Sequence, residues 1–243
     1  MVTRYFFAIL AVLSWCVTPV SAATIQATYA GTITKGSDWS NYLGFGSYAN
    51  LAGKRISIDV VFNTVLGKRT TSAGAGTDHL TGGSHYFTTN PIVSTTLNIG
   101  GVTQMIGGSY WSDTATGNSG TGSQYSQGVE DFIGNPAGPY FDYGVVTSIS
   151  DAQGVFPLRL DAPFSWAPSA STTSASGYFS FLAFDGRSYT RYAVGDFTID
   201  SLAVKSLSGP SPVPLPAAGG FLASAVAMVG VARRARRRNQ TAG

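Results

Sequence analysis

The chain has 243 residues, enough for one sizeable hydrophobic core, with only 11% charged residues, 30 Gly and 12% aromatics. Its pI near 9.0 comes from the two ends: once Arg4 and the five C-terminal arginines are set apart, nine Lys and Arg face twelve Asp and Glu between residues 23 and 212. A middle region of net charge −3 offers no basic face to neutralise phosphates, which sets nucleic acid aside as a partner.

The chain opens MVTRYFFAILAVLSWCVTPVSA, with one basic residue, an apolar run, a Pro and small residues before Ala22. That layout predicts a secretory signal peptide over residues 1–22, cleaved between Ala22 and Ala23. The sole cysteine, Cys16, lies inside this leader, and bulky Trp15 before it does not suit a lipoprotein signal. A mature chain without cysteine has no disulfide, thiol catalysis or Cys-based zinc site, so its core alone must hold the fold.

Residues 23–208 are rich in Gly, Ser, Thr and aromatics and show period-two alternation with no sustained helical period. In KRISIDVVFNT, Ile56, Ile58, Val60 and Phe62 fall on one face with Ser57 and Asp59 on the other. Gly100-Gly101 can supply the positive φ of a tight turn, which predicts a hairpin of Ile92–Ile99 and Val102–Ile106. YFDYGVVTSIS, GYFSFLAFDG and VGDFTIDSLAVKS give three more strands, with Asp185-Gly186 as a turn. Ten to twelve strands in all point to an all-β ectodomain, a jelly-roll-like β-sandwich rather than a closed barrel. The stretches 70–86 and 109–126 are expected to be linking loops.

Chemistry is sparse. His79 and His85, with Asp78 beside the first, have no recognised ligand spacing and are expected to be solvated loop residues. There is no Gly-x-Ser-x-Gly. Glu130, Asp131 and Asp142 are the carboxylates a polysaccharide hydrolase could use, but adjacent acids on a strand point to opposite faces, so Glu130 and Asp131 are not the pair. The expected protein is therefore not an enzyme. Aromatics gather in or near the expected loops: Trp39, Tyr42, Tyr86, Tyr110, Trp111, Tyr125, Tyr140 and Tyr143. Flat rings stack on the apolar faces of sugars, and Tyr110 and Trp111 are the candidate glycan contacts, with core the expected role for about half of the set.

The stretch SGPSPVPLPA follows, whose alternating prolines hold it extended and out of any sheet. Residues 209–216 are thus a stalk. Ala217 to Ala232 are uncharged, about 24 Å as a helix against a hydrocarbon core of about 30 Å, and nine of the sixteen are Gly or Ala. A weak transmembrane helix over 217–232 ends at Arg233, Arg234, Arg236, Arg237 and Arg238, a basic stop signal that keeps the tail 233–243 cytoplasmic.

This order of parts resembles the PEP-CTERM sorting signal, in its VPLPA variant, which Val213, Pro214, Leu215, Pro216 and Ala217 match at every position. Leu215 stands where the parent motif has Glu, which leaves the exosortase subtype open. The resemblance implies a protein of a Gram-negative bacterium, passed by the secretion translocon across the inner membrane and transiently anchored. An exosortase, a membrane thiol protease, then processes it, and it ends at the cell surface or in an extracellular, exopolysaccharide-rich biofilm matrix. The opening of the middle region, with an Asp, Phe45-Gly46 and then Leu-Ala-Gly before a strand, resembles many PEP-CTERM ectodomains, which share no established activity. FTIDSLAV, residues 197–204, resembles the last strand of carbohydrate-binding jelly rolls, which makes Asp200 a candidate for a structural calcium; no other cofactor is expected. The sequence thus reads as a non-catalytic surface or matrix protein, with a carbohydrate-binding module as the alternative and a polysaccharide hydrolase as the second.

Overall fold

The alternation becomes ladders. β1 (Thr24–Asp38) buries Ile25, Ala27, Tyr29 and Ile33, and β3 (Arg55–Asn63) buries Ile56, Ile58, Val60 and Phe62 against it. β6 (Ile92–Ile99) and β7 (Val102–Ile106) form the expected hairpin, joined by Gly100 at φ 55° and Gly101 at φ 96°, the left-handed pair that a two-residue turn requires. The computed structural model describes residues 23–72, 76–119, 122–134, 140–185 and 187–207, all within one unit, Ala23–Gly209. The expected leader 1–22, stalk 209–216, transmembrane helix 217–232 and basic tail 233–243 lie outside the described residues.

The other strands are β2 (Ala49–Asn50), β4 (Lys68–Ser72), β5 (Thr77–Gly82), β8 (Trp111–Ser119), β9 (Gly122–Gly134), β10 (Tyr140–Asp151), β11 (Phe164–Trp166), β12 (Thr172–Phe184) and β13 (Tyr189–Ser206), with one 3-10 turn at Ser84–Tyr86. The all-β expectation holds. These strands form one antiparallel sheet in the order β4-β5-β8-β9-β10-β12-β13-β1-β3-β6-β7, with β2 on β1 and β11 on β13. No ladder joins β4 to β7 among the described residues, so the sheet is curled rather than closed.

Short links enforce the curl. β3 and β4 stand near opposite ends of the order but are joined by residues 64–67, and β7 and β8 by residues 107–110. Links of that length reach less than about 20 Å, so the two ends of the sheet must approach each other. Side chains fasten them. Asp131 of β9 accepts from the Ser109 N–H at 2.8 Å and the Ser109 hydroxyl at 2.5 Å, and from the Gly107 N–H, all in the β7–β8 link. Across the interior, the Tyr29 hydroxyl donates to Gln127 Oε1 at 3.0 Å, and Gln127 Nε2 donates to Thr114 at 3.1 Å.

One irregularity keeps the apolar face inward. In β13, Phe197, Ile199, Leu202 and Val204 are all buried although their spacing changes from two to three. A bulge opposite Ala30 and Gly31 absorbs the extra residue. The Asp and Phe-Gly pair of the opening also acquire a role: buried Asp38 accepts from the backbone N–H of Leu43 at 3.0 Å and of Phe45 at 3.3 Å, and so fixes the excursion after β1.

The expected loops 70–86 and 109–126 are for the most part strands: β4, β5, β8 and the start of β9. Apart from Leu80 and Tyr125 their inward positions are polar, with Asp78, Ser112, Thr114, Thr116 and Ser123 all buried, so hydrophobic alternation gave too little signal to reveal them. Local bonds satisfy these groups: Thr116 donates to the Pro157 carbonyl at 2.6 Å, Ser112 to the Gly82 carbonyl at 3.2 Å, and Ser123 accepts from the Phe156 N–H at 3.1 Å. Asp78, 1% exposed, takes a bidentate pair from Arg69 and the Leu160 N–H at 2.9 Å.

Replacing Tyr29 by Phe leaves the buried Gln127 carbonyl without its donor. A loss of about 1–3 kcal/mol is expected, read as a lower urea midpoint at unchanged slope.

Candidate functional site

On the outward face of β8, β9, β10 and β12 an aromatic strip surrounds two carboxyl groups. The register sets Trp111 beside Glu130, Glu130 beside Gly144, and Asp142 beside Phe132 and Leu182. Alternation sends Glu130 and Phe132 outward from β9 while Asp131 points inward to the β7–β8 link. The expected separation of the two neighbouring acids is therefore what the strand produces.

The rings are fixed by the glycines and phenols next to them. The six-membered ring of the Trp111 indole packs onto Gly128, where a Cβ would sit 2.2 Å from the ring, so only glycine fits against it. Trp111 Nε1 donates to the Tyr86 hydroxyl at 2.8 Å. His85 lies 5.4 Å from Tyr110, Tyr110 5.1 Å from Phe132, Phe132 3.9 Å from Tyr140, and Tyr140 5.0 Å from Phe184, centroid to centroid. The Tyr140 and Tyr189 hydroxyls are 2.5 Å apart, a bond that lifts the Tyr140 phenol to about 12. Phe87, next to Tyr86, is 96% exposed at φ 54°, a left-handed conformation that a bulky residue adopts at a cost.

Glu130 and Asp142 share a hydrogen bond. Burial, then the Asp142 charge and the bond to it, raise Glu130 from an ordinary 4.5 to about 7, and burial raises Asp142 as well. Both carboxyl groups, flanked by rings, therefore hold their protons more tightly than free carboxyls do.

The candidate contacts Tyr110 and Trp111 thus converge with Tyr86 and Tyr140. Tyr125 is buried in the core, Tyr42 and Tyr143 pack against it, and Trp39 stands edge-on to Tyr48 elsewhere. The histidines separate: His79 bonds Asp113 at 2.6 Å on the outward face, Asp78 is turned inside, and His85 lies against Tyr110. Asp200 faces outward with Arg55 Nη1 at 2.6 Å and the Thr32 hydroxyl at 3.3 Å. Among the described residues no group of three or more His, Cys, Asp or Glu side chains is placed to hold a metal ion. The sequence reading missed Phe132, Phe184, Tyr189 and Phe87 in this strip. The approach of Phe132, Phe184 and Tyr189 to Tyr140 depends on a register that no local pattern encodes. The processing motif Val213–Ala217, the arginines from Arg233 to Arg238 and the Ala22 side of the leader cleavage lie outside the described residues.

Compared with protein-family models, with curated proteins and with solved structures, the chain has no significant match.

Because Glu130 binds its proton more tightly when folded, its contribution to stability is complete below 4.5 and is lost as the pH rises through about 7. Glu130→Gln is expected to remove that decline, so its melting temperature exceeds that of the parent chain above neutral pH and the difference shrinks below the unfolded value. Thermal melts across this range check it.

Proposed function

We propose that the chain is a secreted, non-catalytic β-ectodomain of jelly-roll-like sandwich form that binds polysaccharide through the strip around Trp111 and Tyr110. The single observation behind this reading is the convergence on one outward face of the two rings nominated from sequence with Tyr86, Phe132 and Tyr140 and with a hydrogen-bonded acid pair. Flat rings offer apolar platforms to sugar faces, and the carboxyl pair and phenols offer hydrogen-bond partners to hydroxyls.

Delivery follows from the ends of the chain. The leader over 1–22 directs export, and the VPLPA-type signal over 213–217 with its span and arginines hands the ectodomain to an exosortase, for residence at the surface or in a polysaccharide matrix. Support for this comes from the order and spacing of the sequence motifs.

Two measurements test the proposal. Intact mass of the protein from its host should give a form beginning near Ala23 and ending within the Pro-rich motif; retention of 217–243 in the membrane overturns the sorting reading. On a glycan array, saturable binding should weaken about tenfold or more in Trp111→Ala, while absence of binding in the parent chain overturns the glycan reading.

A further inference from the structure

The outward face of β8 continues beyond the aromatic strip. From Trp111 its outward positions run Asp113, Ala115 and Gly117, and the register sets these four beside Glu130, Gly128, Ser126 and Gln124 of β9. On the other flank β5 sets Thr81 beside Asp113, His79 beside Ala115 and Thr77 beside Gly117. The last two rungs enclose an open cleft of about 290 Å³, with Thr77, His79, Asn118, Gln124 and Ser126 as walls and Ala115 and Gly117 in the floor.

Small residues make that floor. A Cβ on Gly117 would lie 2.7 Å from the Thr77 methyl, so the floor at this rung has no side chain. The walls carry hydroxyl, amide and imidazole groups, which both donate and accept. Two of these are held in place: His79 by Asp113 at 2.6 Å, and Gln124 by the Ser148 hydroxyl at 3.3 Å. Trp111 and Gly117 are six residues apart on one strand, a length of about 20 Å, room for several linked sugar rings.

We propose that the cleft and the Trp111 platform are the two ends of one track, which binds a linear polysaccharide free of acidic sugars lying along β8. This rests on the glycan-binding reading of the strip. One end supplies ring stacking; the other supplies closely spaced hydroxyl and amide groups over a floor low enough for a chain to pass. Asp113 and the Glu130–Asp142 pair line the path, and the negative charge they carry between them repels a uronate chain while tolerating uncharged or amine-bearing sugars.

The test is calorimetric titration of the full chain with disaccharides and hexasaccharides of the cello, laminari and chito series, and with an oligogalacturonate. The best hexasaccharide is expected to bind about tenfold more tightly than its own disaccharide, the effect of a few net hydrogen bonds. The double variant Gln124→Ala, Ser126→Ala should lose that length gain and keep the disaccharide affinity; Ala115→Leu, which raises the floor, should lose it too. Equal affinity for both lengths in the parent chain, a length gain that survives both variants, or an oligogalacturonate bound as tightly as the neutral hexasaccharide overturns the track. Failure of the parent chain to bind any of these sugars, or hexasaccharide binding unmoved by Trp111→Ala, overturns the underlying glycan reading as well.

Discussion

A link of four residues between β3 and β4 constrains everything else in this molecule. It joins strands that stand at nearly opposite ends of the sheet order, and a chain so short cannot cross an open sheet of that width. The sheet curls until its ends approach, which is why Tyr29 of β1 reaches Gln127 of β9 and why Asp131 can fasten the β7–β8 link. The apolar faces of β1, β3, β6, β10, β12 and β13 then share one core. Without the curl those faces would remain open to water, and the hydrophobic contribution that stabilises a cysteine-free domain would be lost.

The same curvature divides the sheet into a face that packs and a face that is turned outward. Along β9 the division is residue by residue: Tyr125, Gln127, Val129 and Asp131 turn inward, while Gln124, Ser126, Glu130 and Phe132 turn outward. Gly128 on the outward side leaves space that the Trp111 indole occupies. The strip therefore rests on rigid, fully paired strands. Binding by prearranged rings loses little side-chain entropy, a physical reason for such a platform to serve recognition.

Much of the fold could be read directly. The faces of β3, the β6–β7 hairpin and the three long C-terminal strands followed from alternation and from one Gly-Gly pair. β4, β5, β8 and the beginning of β9 could not be read, because apart from Leu80 and Tyr125 their inward residues are Thr, Ser, Asp and Gln bonded to one another and to nearby carbonyls. A pattern rule that equates burial with apolarity has no signal there. Hidden with those strands was the nearness of Trp111 to Glu130 and of Phe132 to Tyr140.

By itself the sequence determined the strand-rich character of the middle region, the inward faces of its apolar strands, the opposite facing of Glu130 and Asp131, and the motifs at its two ends. These are local properties, written in side-chain period, in glycine and proline conformational limits and in short spacings. Only the tertiary structure decided which outward residues share a surface. The Trp111 strip draws on segments near residues 86, 111, 130, 142 and 189, and it is the ladder register, set by the curl of the whole sheet and by its buried hydrogen bonds, that brings them within contact.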